Sequence, residues 1–291
     1  MFPPRFRYEA PHSLAEAIGL LHEGDGEAKV LAGGQSLVPL LKLRFASPEL
    51  LVDINNLSDL AYHQVDDAGA LHVGALCRHA DLEHSDLLAE RQPTMIAAAP
   101  LIADPIVRAR GTLVGSLCHA DPQGDWAAVV TALGGQVVAQ GPSGRRTIAI
   151  GDFVTGPFQN TLAYDEVAVE AVVPAAKGRL EGGFLKLERR VGDFATAGAA
   201  VAVELDGDRV VRAGIALSGV GSRTLDAREA ADSLVGQMLD EAAIGRAAEL
   251  AAGVAEPRSD HRGSAEYKRH VVHTFVTRIL TRVSTTTSKA A

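Results

Sequence analysis

The sequence predicts an α+β protein built in two parts, and three observations carry that reading. At 291 residues the chain exceeds the size at which single cores stop growing, which favours two domains. Through the first segment, short apolar runs alternate with helical patterns, the mark of α/β organisation. Beyond residue 180 the order becomes a run of strands followed by a run of helices, the α+β signature.

The elements follow in order. "PHSLAEAIGLLHEG" opens with Ser13 as N-cap and Glu16 three residues later, a capping box, and stops at Gly24. A buried strand is expected at 28–32, a helix at Ser36–Leu43, and strands in "ELLVDI" and "GALHVGAL". "HADLEHSDLL" reads as one short helix begun by Asp81. The alanine-rich "QPTMIAAAPLIADPIVRAR", residues 92–110, suggests a buried helix that Pro105 interrupts. A second glycine-bearing loop, "GTLVGSLCHADPQGD", leads into a helix at Trp126–Leu133. A hairpin turns at Gly141-Pro142-Ser143-Gly144, and "EVAVEAVVP" adds a strand. "AAKGRL", residues 175–180, is the boundary candidate. After it come a strand meander turning at Asp206-Gly207, helices at 239–256 and 264–283, and a disordered tail.

Composition narrows the function. Hydrophobic residues make up 47% and charged residues 22%, ordinary for a globular protein. A net charge of −8 without a basic, aromatic-studded stripe argues against nucleic acid. Two cysteines, Cys77 and Cys118, support neither a disulfide framework nor a four-cysteine metal site, and both read as small core residues. The N-terminus lacks a signal-length apolar stretch, and no run approaches the ~20 apolar residues of a membrane span, so a cytoplasmic setting is expected.

Two glycine loops carry the chemistry. In "AKVLAGGQSLVPLLKLR" a glycine pair follows an apolar strand and precedes a helix, yet matches neither the dinucleotide fingerprint nor the P-loop. "GTLVGS" repeats the grammar of glycine, then Ser or Thr, then helix. Such loops converge backbone N–H groups on an anion, and glycine admits close approach because no Cβ intervenes. Two of them in one domain would clamp a diphosphate from both sides.

The segments "LAGGQSLVPLLKLR", "GTLVGSLCHADPQGDW" and "VGDFATAGAAV", in that order, resemble the FAD-binding medium subunit of the molybdenum hydroxylases. That family includes xanthine dehydrogenase, carbon monoxide dehydrogenase and aldehyde- and N-heterocycle-oxidising enzymes. The resemblance runs from "FRYEAPHSLAEAIGLL" to "SAEYKRH". It implies a two-part FAD domain of the vanillyl-alcohol-oxidase type over 1–175, with lobes of about 1–57 and 58–175. A smaller α+β C-terminal domain over 178–284 and a tail over 285–291 follow.

By the same resemblance, Ala32, Gly33, Gly34, Gln35 and Ser36, with Leu37 beside them, would wrap the FAD diphosphate. Thr112, Gly115 and Ser116 would face it. Val114 stands where the family pattern has glycine; a β-branched residue resists positive φ, so it is expected as a main-chain contact only. Asp125 matches an acidic FAD contact and equally suits a helix N-cap; Lys186 matches a cofactor-reaching lysine and equally suits a solvated strand position. Ile102 lies near a pocket-lining position, with ordinary core packing the other reading. Arg108 and Arg110 are placed to offset diphosphate charge, with surface salt bridges as the default reading. His119 with Asp121 invites an acid–base reading, and His79 with Asp81 after Cys77 a ligand cluster, but polar residues beside such loops and at helix starts more often cap and brace. Arg189-Arg190 suits a partner subunit or solvent. No residue is expected to be catalytic or to bind metal here.

The resemblance implies an electron-transfer subunit. A large partner would carry the molybdenum cofactor and a small one two [2Fe–2S] clusters. FAD on this chain would pass electrons to an external acceptor (quinone, O2 or NAD), and the assembly would be a dimer of heterotrimers. The rival reading is a stand-alone FAD-dependent oxidase or reductase, for which the C-terminal segment is small and polar.

Overall fold

The computed structural model describes residues 2–290. The N-terminal segment forms a three-stranded parallel sheet in the order β1 (Arg7–Glu9), β3 (Leu50–Asp53), β2 (Ala28–Leu31). Parallel neighbours need crossovers, and α1 (Leu14–Glu23) and α2 (Leu37–Leu43) supply them. Ser13 caps α1 by accepting from the Glu16 amide, and Glu16 reaches back to the His12 amide, so the expected capping box forms one residue wider. The glycine loop leaves the C-terminal end of β2, the edge of a parallel sheet where ligands characteristically lie.

A five-stranded antiparallel sheet follows, ordered β4 (His63–Val65), β5 (Leu71–Gly74), β10 (Val167–Val173), β6 (Gln136–Gly141), β7 (Gly144–Ala149). Six short helices are inserted between β5 and β6: α3 (His79–Glu83), α4 (Asp86–Arg91), α5 (Pro93–Ala98), α6 (Pro105–Arg108), α7 (Leu113–His119) and α8 (Asp125–Ala132). Between β7 and β10 run α9 (Ile150–Phe153) and a hairpin of β8 (Val154–Gly156) with β9 (Gln159–Asn160). Trp126, Phe153, Leu113 and Leu117 are fully buried at the centre.

Several expectations change here. "HADLEHSDLL" is two helices, because Ser85 caps α4 by accepting from the Leu88 amide; Asp81 sits in the first turn of α3 and takes the Arg78 amide. Residues 92–110 do not form one buried helix. α5 gives way to a 3-10 turn at Ala99–Leu101, Ala103 turns left-handed at φ +46°, and Pro105 begins α6 instead of breaking a longer helix. "TLVGS" is not a loop: Thr112 is the N-cap of α7, accepting from the Gly115 amide.

The C-terminal part is an antiparallel sheet ordered β11 (Arg179–Leu187), β12 (Ala197–Asp206), β13 (Arg209–Ser218), β14 (Leu225–Asp226), followed by α10 (Arg228–Asp232), α11 (Glu241–Val254) and α12 (Ala265–Ala290). β12 is buried on both faces. Ala200 and Ala202 join the N-terminal core, while Ala199, Val201 and Val203 join a second core under α11 and α12. Period-two alternation therefore feeds two cores from one strand, and small side chains let layers approach from both sides. The tail expected over 285–291 continues α12 to Ala290, its Thr285 and Thr286 hydroxyls donating to carbonyls one turn back; Ala291 lies outside the described residues. No described helix is long and apolar enough to cross a membrane.

Close layering sets a test. A Cβ on Gly214 of β13 would strike the Ala132 carbonyl oxygen at the end of α8, whereas Gly245 in α11 faces open space. Gly214→Ala is expected to destabilise by about 1–3 kcal/mol and Gly245→Ala to stabilise by about 0.5–1 kcal/mol, read from urea denaturation.

Candidate functional site

The first turn presents open amides. Gly34 adopts φ +73°, and the N–H groups of Gly34, Gln35, Ser36 and Leu37 find no acceptor among the described residues. Gln35 folds its side-chain amide onto the Gly33 carbonyl at 3.0 Å, closing the turn on itself. Ser36 leads into α2 without using its hydroxyl as a cap. Ala32 precedes the turn, and Ala32, Gly33, Gly34 and Gln35 line a cleft of about 290 Å³ with Val38, Lys42, Asp53, Asn55 and Arg110.

The second turn is the start of α7. Leu113 and Val114 offer its first amides. Val114 needs no positive φ in a helix, which removes the difficulty its β-branch raised; its side chain is buried in the core. Gly115 and Ser116 lie further along the same turn, Gly115 exposed and its amide taken by Thr112.

The two turns meet. A Cβ on Gly33 would strike the Arg110 carbonyl oxygen, with the Gly111 Cα 2.7 Å away, so glycine is obligatory for this approach. Gly111 in turn has His79 beneath it: a Cβ there would lie 2.8 Å from the imidazole. His79 donates its amide to the Gly111 carbonyl, and its Nδ1 accepts from the Trp126 indole at 2.9 Å. Burial, then the positive Arg108 and Arg78, push His79 down to about 4, so it is a neutral brace. Asn55 donates to the Ala32 carbonyl at 2.9 Å and accepts from Arg78 Nη2 at 2.7 Å, while Arg78 Nη1 donates to the Arg110 carbonyl at 2.7 Å.

Charge distinguishes the arginines. Arg110 is exposed on the cleft with no ion-pair partner among the described residues. Arg108, expected beside the diphosphate, is instead buried in a bidentate pair with Glu83, and it also bonds the Ile102 and Ala103 carbonyls. It holds the strained Ala103 turn.

A second polar centre lies where the two cores join. Lys186, on β11, has a side chain only 1% exposed, which rules out the solvated reading. Its Nζ bonds Asp125 Oδ2 at 2.9 Å and the Leu101 and Asp193 carbonyls, and lies 3.3 Å from Glu188. Asp125 is not the cap of α8, because Gly124 occupies that position. Burial pushes the Asp125 carboxyl up to about 6 against the pull of Lys186, and its Oδ1 is buried without a partner. A buried acceptor left open is costly, so it marks where a hydroxyl donor belongs. Ile102 is buried next to Leu101 in the N-terminal core.

The tempting groups resolve as braces. The His119 ring tilts against Phe158 at 5.1 Å, and Asp121 accepts from the Gln123 amide. A wider cleft of about 580 Å³ lies elsewhere, lined by Tyr62, His63, Cys77 and Ser85; burial pushes the Cys77 thiol up to about 12, so it stays neutral. No group of three metal-binding side chains exists among the described residues. Arg189 and Arg190 are exposed. Sequence reasoning missed Asn55, Arg78 and Glu188, which match no local motif.

Residues 4–176 match the family model of the FAD binding domain in molybdopterin dehydrogenase, and residues 183–283 that of the CO dehydrogenase flavoprotein C-terminal domain. The chain belongs to that family of FAD-binding medium subunits. It is 40% identical over 280 residues to the carbon monoxide dehydrogenase medium chain of Hydrogenophaga pseudoflava, covering 96% of this chain and 97% of that one. It is 36% identical over 272 residues to the glyceraldehyde dehydrogenase medium chain of Sulfolobus acidocaldarius, covering 94% and 96%. Among solved structures, carbon monoxide dehydrogenase from Hydrogenophaga pseudoflava superposes with a TM-score of 0.92 at 40% identity, covering 97% of this chain and 98% of that one. Quinoline 2-oxidoreductase from Pseudomonas putida 86 gives 0.90 at 36%, covering 99% of each. The medium subunit is thus an oxidoreductase component with an FAD-binding domain, and the glycine cradle and the open Asp125 oxygen fit that cofactor.

Two outcomes test this geometry. Gly33→Ala is expected to force the turns apart, destabilising the subunit by about 1–3 kcal/mol in urea and lowering the flavin retained on gel filtration. For Asp125, a folded pKa near 6 against about 3.9 unfolded makes its ionised form a penalty, fully present above pH 6 and gone below pH 4. The flavin-free protein therefore gains about 2 kcal/mol between pH 7 and pH 4 from this group, and the gain is absent in Asp125→Asn.

Proposed function

We propose that this chain is the FAD-carrying electron-transfer subunit of a heteromeric molybdenum hydroxylase. The observation that supports it best is the contact of Gly33 with Arg110 and Gly111, which sets two open-amide turns beside an unpaired guanidinium. Amide hydrogens of Gly34 to Leu37 on one side, and of Leu113 and Val114 on the other, would donate to the FAD diphosphate, with Arg110 supplying countercharge. Ala32 and Gly33 shape the approach, and the Ser36 and Ser116 hydroxyls flank the turns. Thr112 holds the α7 turn closed.

Asp125 Oδ1 would accept from a cofactor hydroxyl, with Lys186 holding Asp125 in place from the C-terminal sheet. Ile102 and Leu37 would contribute apolar contact. FAD held by these residues would supply the redox chemistry, with two [2Fe–2S] clusters on a small partner and a molybdenum cofactor on a large partner as the source of electrons. No side chain of this subunit is then asked to move a proton. The reading extends to an FAD domain over 1–175, a C-terminal domain over 178–284, a cytoplasmic dimer of heterotrimers, and quinone, O2 or NAD as acceptor. Purification under native conditions with a visible spectrum and metal analysis tests it. Flavin bands with iron and molybdenum in one complex are expected. Flavin alone, with turnover by the single chain, would replace this reading by a self-contained oxidase or reductase.

A further inference from the structure

We propose that Asn55 and Arg78 form a tether that fixes the spacing of the two diphosphate-facing turns, acting as positioning residues for the cofactor. The inference rests on the function proposed above. Its geometry is a continuous polar chain: Ala32 carbonyl, Asn55 amide, Arg78 guanidinium, Arg110 carbonyl. It begins on the carbonyl just before the first turn and ends on the carbonyl just before the second.

Both ends of the chain are anchored. Asp53 Oδ1 takes the Asn55 backbone amide at 2.9 Å, and Asp53 Oδ2 accepts the Tyr8 hydroxyl at 2.6 Å. Arg78 forms a bridge with Thr112, and its amide is taken by Asp81 at 2.9 Å. The guanidinium spends its two terminal nitrogens on different partners, one amide oxygen and one backbone carbonyl. That fork is a task for arginine, because an ammonium is a point donor without the fixed span.

The tether carries a cost that explains its position. The Arg78 guanidinium makes no carboxylate hydrogen bond among the described residues, and its charge faces that of Arg110, with burial and then this like charge holding Arg78 below the ordinary range. Two neighbouring cations repel each other; Asp53 and Asp81 offset part of that repulsion, and an anion between the two guanidinium groups would offset more. A diphosphate supplies that anion. The tether thus holds the turns at binding distance in advance, so that less ordering remains for the cofactor to impose.

The test uses the flavin-loaded protein with whatever subunits accompany it. Arg78→Lys, Asn55→Ala and the double variant are diluted into FAD-free buffer, and flavin release is followed by fluorescence. Each single variant is expected to release flavin about ten- to a hundredfold faster, the range for a lost hydrogen bond to a charged group. The double variant is expected to be no faster than the faster single, because one broken link already parts the chain. Melting of the flavin-free protein is expected to move by less than about 3 °C, because Asn55 and Arg78 are half-buried and the rest of both cores is untouched. Unchanged release, additive effects, or flavin-free melting that falls in step with release would each overturn the tether. A wild-type preparation holding no flavin at all would overturn the functional reading beneath it.

Discussion

The whole site depends on one close approach: the backbone of Gly33 lies against the backbone of Arg110 and Gly111. These residues belong to different sheets. Gly33 ends the parallel three-stranded unit, and Gly111 precedes a helix packed on the antiparallel five-stranded one. Any side chain at either position separates them, because a Cβ at one meets a carbonyl and at the other an imidazole. The neutral His79, held by Trp126, forms the floor beneath. Tertiary packing thus brings the two turns together, which neither segment achieves alone.

The first turn was legible because its signal is local. An apolar strand, two glycines and a helix start are adjacent in the chain, and their geometry follows from strand-end and glycine preferences. The second was misread as a loop since Thr-Leu-Val-Gly-Ser fits a helix start as well as a turn; only the Thr112 cap bond decides. Arg108 was misassigned for a different reason. Its partner Glu83 is 25 residues away, and no periodicity connects α3 to α6. Asn55 and Arg78 were invisible on the same ground, their link being purely tertiary. For Asp125 the two readings divided on one residue, and the cap fell to Gly124. The alternation of β12 was plainer in the sequence than its consequence, since small apolar residues fit one buried face or two.

The seam between the cores raises an energetic question. A buried carboxylate costs several kcal/mol, and a single ion pair rarely repays it in full. Lys186 serves Asp125 and Glu188 at once, so the cluster carries one cation for two carboxylates. Packing alone does not explain this, because apolar residues of similar size would fill the space at lower cost. Lys186 also binds the Leu101 and Asp193 carbonyls, which ties β11 to the irregular backbone at 101–104. The cluster therefore fixes the orientation of the C-terminal sheet against the cofactor lobe. The Asp125 Oδ1 of this cluster is left without a partner among the described residues.

Several unfavourable features lie at these two centres: facing arginines, an orphaned carboxylate oxygen, unpaired amides, and the left-handed Ala103 held by Arg108. Each is tolerable only because the surrounding core over-determines it. His79 is neutral and buried, the Cys77 thiol is held far above neutrality, and burial pushes the Asp125 carboxyl up to about 6. Such a distribution suits a protein whose task is to hold a charged, hydroxylated molecule in a fixed place. Electron transfer between fixed centres asks for rigid position more than for acid–base groups, and rigidity is what a cradle of backbone donors on packed strands and helices provides.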